Sequence, residues 1–115
     1  MTGKEISLDN KTFKIIKNDG IGVQLTPGSI FYFKQDEDKI SADYSGGVVV
    51  KGILEGTIKG DKLQHHYEQY DKEGRKFVGN AKADIVIKED GKIQLIDEWE
   101  WESQKGKGSC IMEEV

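Results

Sequence analysis

Arginine, cysteine and proline each occur once in 115 residues, as Arg75, Cys110 and Pro27, and each scarcity excludes something. One cysteine forbids an internal disulfide and any zinc centre built on several thiolates. Cys110 is therefore expected to be a small, buried or half-buried hydrophobe. One arginine among 17 basic residues, set against 21 acidic ones, does not make the Arg-rich basic surface that nucleic-acid binding needs. Long apolar runs are missing as well. No stretch reaches the roughly 18 residues of a membrane helix, and Met-Thr-Gly-Lys-Glu-Ile-Ser at the start holds no apolar run of signal-peptide length. No membrane contact and a cytoplasmic location are the expectations. Helical periodicity is almost absent too.

What the chain does have is alternation with period two, punctuated by 14 glycines. Between 38 and 59 the even positions carry Ile40, Ala42, Tyr44, Gly46, Val48, Val50, Gly52, Leu54, Gly56 and Ile58, and the odd positions are mostly polar. That pattern marks two half-buried strands joined near Gly46-Gly47, with the even set facing inward. After a turn at Gly60-Asp61, Leu63, His65, Tyr67 and Gln69 share one face. After Asp71-Lys72-Glu73-Gly74 the inward set is Phe77, Gly79, Ala81, Ala83, Ile85 and Ile87. The Asp90-Gly91 hairpin signal leads to a strand with Ile93, Leu95, Asp97, Trp99 and Trp101 inside and Glu98, Glu100 and Glu102 outside. Residues 105–108 read as a turn or bulge before a last strand from Ser109. Residues 12–17 and 29–35 give two earlier strands, and 23–25 a weaker one.

The expected fold is all-β: one domain over residues 1–115, an antiparallel meander of about eight strands. Such a meander leaves two unpaired edges, and closing on itself removes both. An up-and-down barrel of calycin or lipocalin type follows. The inward glycines suit it, since tight curvature needs residues without a Cβ.

The run Tyr44-Ser45-Gly46-Gly47, then Lys51-Gly52-Ile53-Leu54-Glu55-Gly56, Tyr67, Gly74, Gly91-Lys92-Ile93-Gln94-Leu95, Trp99-Glu100-Trp101 and Gly108-Ser109 with Glu113-Glu114 resembles a small bacterial family. Its members are often labelled N-acetylglutamate synthase. The resemblance spans residues 44–115 and implies a small β-barrel, with no particular activity attached. The label can be set against the chemistry it names. An acetyl-CoA-dependent transferase needs a glycine-rich loop opening a helix, whose free amides hold the pyrophosphate. Here Lys76-Phe77-Val78-Gly79-Asn80-Ala81 lies mid-strand with no helix pattern behind it, which speaks against that chemistry.

The positions that bear on function are polar and aromatic side chains on the inner face: Tyr44, His65, Tyr67, Asp97, Trp99 and Trp101. A buried Asp97 needs a partner, which His65, Tyr67 or Tyr44 could supply. Three uses are open. The set could line a pocket for a small, partly apolar or aromatic ligand. It could fill the core of a structural or interaction module that works through its acidic face, Glu98, Glu100 and Glu102 with Glu113-Glu114. Or Asp97 and His65 could serve a small enzyme. The first is the leading expectation, with no catalytic residue, no cofactor and no metal assigned; self-association into a homo-oligomer is compatible with it. His65-His66 does not make a metal pair, because neighbours on a strand point to opposite faces. Ser109 lacks the strand-to-helix elbow of a triad nucleophile.

Overall fold

The computed structural model describes residues 6–115; residues 1–5, most of the segment read above for a signal, lie outside the described part. The described residues form eight strands: β1 (Thr12–Gly20), β2 (Ile30–Asp36), β3 (Lys39–Gly46), β4 (Val49–Lys59), β5 (Lys62–Asp71), β6 (Lys76–Ile87), β7 (Ile93–Trp101) and β8 (Lys107–Glu114). Each pairs antiparallel with the next, and β1 pairs with β8 to close the barrel. The meander and its closure agree with the alternation. No helix of the described chain is long and apolar enough to cross a membrane.

The inner face follows the period-two pattern over most of its length. Leu63, His65, Tyr67 and Gln69 on β5, and Ile93, Leu95, Asp97, Trp99 and Trp101 on β7, are all buried. Four details correct the sequence reading. Val48 and Val50 are exposed while Val49 is buried, because the register shifts between Tyr44 and Gly46 and again between Val49 and Lys51. One extra residue beside the β3–β4 turn swaps inside for outside. Ile87, the last residue of β6, is exposed. Lys107 and Gly108 belong to β8 and not to a turn. Residues 23–25 are not a strand but part of a loop, 21–29, between β1 and β2.

That loop covers one end of the barrel. The opposite end is stoppered by the segment before β1: Leu8 is fully buried, and its backbone amide donates to Gln35 Oε1 at 2.8 Å. Phe13, Phe33, Ile40, Ile58, Leu63, Ile85, Ile93 and Leu95 fill the interior above it, with Phe13 and Phe33 packed edge to face at 5.2 Å.

Candidate functional site

Strand β6 determines what reaches the middle of the barrel. Its inward residues Gly79, Ala81 and Ala83 sit between larger partners on both sides. Gly79 lies between Tyr67 and Trp101, Ala81 between His65 and Trp99, and Ala83 between Leu63 and Asp97. Strands two apart are separated by about 10 Å, so side chains on β5 and β7 meet only where the intervening residue is small. They do meet: His65 Nε2 lies 3.0 Å from Asp97 Oδ1, and the Tyr67 and Trp101 rings pack edge to face at 5.6 Å. A Cβ on Gly79 would run into the Tyr67 phenol. Gly52 does the same for Tyr44, whose ring lies where its Cβ would be.

At the loop-covered end the polar side chains form connected chains. The Tyr44 hydroxyl donates to Gln69 Oε1 at 2.7 Å, and Gln69 Nε2 donates to Gln24 Oε1 at 2.9 Å. Trp99 Nε1 donates to Asn18 Oδ1 at 2.8 Å, while Asn18 Nδ2 donates to the Leu25 carbonyl at 2.9 Å. Trp101 Nε1 donates to the Gly22 carbonyl at 3.2 Å. Each chain runs from the barrel wall into the loop, so wall and loop are pinned together. Loop 21–29 can lie here because β1 and β2 part early. Only Thr12, Phe13 and Lys14 of β1 have register partners on β2, and beyond them the loop fills the seam.

Beneath the loop lies a cavity of about 50 Å³. All six predicted residues, Tyr44, His65, Tyr67, Asp97, Trp99 and Trp101, line it, so strands β3, β5 and β7 converge as the inner-face list requires. Pockets that take drug-sized ligands measure roughly 300 Å³ or more. This cavity is sized for a few heavy atoms, or for a handful of waters at about 10–15 Å³ each. His65 Nδ1 is buried and has no hydrogen-bond partner. A carboxylate can only accept, so the proton facing Asp97 sits on His65 Nε2, and in the neutral ring Nδ1 presents a lone pair.

Burial dominates the titration behaviour of this end. It pushes the Tyr44 phenol well above its usual value, helped by Tyr67 and Asp97. It does the same to the Tyr67 phenol and the Cys110 thiol, again with a contribution from the Asp97 charge. Cys110, next to Asp97 across the β7–β8 pair, is buried and free. A thiol held protonated is a poor nucleophile.

Sequence reasoning missed Asn18, Gln24 and Leu25, the parts of the wall that come from β1 and the loop. Asn18 sits at a polar-looking position past a bulge between Ile15 and Lys17, and nothing local announces that loop 21–29 folds inward. Other motifs fall outside the site. His66 and Ser109 are exposed, so no Ser109–His65–Asp97 triad assembles. Glu98 and Glu100 stand opposite Lys82 and Lys107 in register on the outer face. No group of three metal-ligating side chains converges among the described residues.

The family model described as avidin-like protein matches residues 6–115, the whole described barrel, and the chain belongs to that family. No curated protein and no solved structure matches it.

Proposed function

We propose that this avidin-like chain is a non-enzymatic binding protein that takes a small, partly aromatic or apolar molecule at the loop-covered end of its barrel. Membership of an avidin-like family supports a ligand-holding barrel in general. The observation that carries the reading for this chain is the cavity itself. It combines aromatic walls with a buried ring nitrogen, His65 Nδ1, that no protein group satisfies. Buried polar atoms in folded proteins are nearly always paired, so an orphan on a residue that lines a cavity supports a place for a partner from outside the chain. With about 50 Å³ available, the seated part of the ligand is small. Anything larger displaces part of loop 21–29, which is held by side-chain hydrogen bonds from Gln69, Asn18 and Trp101 and by backbone bonds to Ile15, Val48 and Lys107.

The small volume also favours a second reading, a filled barrel whose work is done on the outer surface. One substitution separates them. Trp101→Phe keeps an aromatic ring but removes the indole N–H that holds Gly22. Ligand-observed NMR with indole, phenol and imidazole reports whether a fragment is taken up. A binding barrel loses fragment affinity in Trp101→Phe while its dispersed spectrum persists. A filled module shows no uptake in either form and registers the substitution only as lower stability.

A further inference from the structure

The hydrogen-bond pattern of the cavity specifies what kind of molecule would suit it. Many of the wall's donors are engaged internally. The Tyr44 hydroxyl, Gln69 Nε2, Trp99 Nε1, Asn18 Nδ2 and Trp101 Nε1 all point to protein acceptors. The Tyr67 hydroxyl leans toward the Glu100 carbonyl at 3.4 Å. One group left unmet is, in the neutral ring, an acceptor: His65 Nδ1, which is buried and unpartnered, on the residue that pairs with the Asp97 carboxylate.

Charge points the same way. Asp97 is the single acidic side chain lining the cavity, and no lysine or arginine lines it. Burial is the main cause of the upward push on Tyr44, Tyr67 and Cys110, and the Asp97 charge adds to each. An anion placed here would lose its hydration and be repelled by Asp97. A cation would offset the carboxylate and face the rings of Tyr67, Trp99 and Trp101, whose π-faces attract positive charge.

Resting on the binding-barrel reading above, we propose that the cavity takes the head of a small organic cation carrying N–H donors, a primary ammonium on a slim tail. The head donates to His65 Nδ1 and lies against Asp97. The tail runs toward loop 21–29, past Gln24 and Leu25, which line the cavity.

The test compares three probes of nearly equal shape, n-butylamine, n-butanol and butyrate. Each is titrated into the intact protein while the Trp99 and Trp101 indole N–H signals are followed by NMR. Butylamine is expected to bind about tenfold or more tightly than butyrate, the scale of a charge-assisted hydrogen bond, with butanol between them. Asp97→Asn, close to isosteric, should remove that preference, and Glu98→Gln on the outer face should leave it intact. Should Asp97→Asn fail to fold, the ranking of the three probes on the unsubstituted protein still decides. If butanol or butyrate binds as well as butylamine, the cationic preference is overturned while the binding barrel stands. If none of the three shifts the indoles at the highest soluble concentration, both readings fall.

Discussion

The two ends of the barrel are built from the same alternation and do opposite things with it. The end stoppered by Leu8 is apolar: Phe13, Phe33, Ile40, Ile58, Leu63, Ile85, Ile93 and Leu95 interlock there. The end under loop 21–29 replaces those side chains with Tyr44, His65, Tyr67, Gln69, Asp97, Trp99 and Trp101 and leaves a small cavity among them. Apolar packing is non-directional and tolerates no void. Polar groups can be buried only in fixed geometry with their partners. The first end therefore supplies stability, and the second gives up some of it for a shaped, hydrogen-bonded surface. Separate substitutions at the two ends can break or sharpen that contrast.

The largest effect belongs to the apolar end. Leu95→Ala, at a fully buried position, should cost about 2–5 kcal/mol of unfolding free energy in urea and leave fragment uptake at the far end unchanged in whatever protein remains folded. A loss of uptake in the folded fraction would show that the ends are not independent. Comparable in size, but different in kind, is the buried pair. Breaking it with His65→Leu should cost about 3–5 kcal/mol, because the Asp97 carboxylate is left without its partner. Replacing both members with leucine should recover most of that loss and abolish binding. A double variant as unstable as the single one would mean that the destabilisation comes from packing and not from charge.

Next comes the close approach of strands. Gly52→Ala should cost about 1–3 kcal/mol by overpacking, since the Tyr44 ring occupies the space that a Cβ needs. Gly60→Ala meets no such neighbour and tests only the left-handed backbone of its turn (φ 62°). Equal losses at the two positions would remove the argument from ring packing.

pH probes the loop-covered end and its rim. The folded state holds the Tyr44 and Tyr67 phenols and the Cys110 thiol above their free values of 10.0 and 9.0. A raised folded value gives stability that is complete below the free value and is lost as pH rises past it. Thermal melting should therefore stay level up to about pH 9 and fall above it, with the ionisation of the buried Tyr44 and Tyr67, seen by ultraviolet absorbance, coinciding with unfolding. At the acid side, burial would raise the Asp71 carboxyl, but hydrogen bonds from the Arg75 amide and guanidinium and from the Glu73 amide outweigh it and hold it below its usual 3.8. That depressed group stabilises the fold above 3.8 and ceases to do so as pH drops below it, so Asp71→Asn should flatten the acid limb of the melting profile. The smallest effect is on the outer stripe, where Glu98→Gln should stay within about 0.5 kcal/mol.

The sequence was most legible where its signal is local. Which residues of β5 and β7 point inward follows from period two alone, because successive Cβ atoms alternate. The six candidate residues come together for that reason, and Asp97 finds His65 because the barrel wall between them is lined by alanine. Legibility failed where one residue is added. The bulges flanking the β3–β4 turn exchanged Val48 and Val50 for Val49, and the inward fold of loop 21–29 left Asn18, Gln24 and Leu25 unforeseen. A bulge is decided by pairing with a distant strand, and a loop by what space it finds to fill.

The amino-acid order by itself determined an all-β chain of alternating strands with short turns and a polar, aromatic stretch on its inner face, since these depend on neighbours one or two residues apart. Only the tertiary structure decided that the interior keeps about 50 Å³ and that His65 Nδ1 ends without a partner. Those outcomes depend on side chains far apart in sequence competing for one enclosed volume, and no local pattern encodes the remainder.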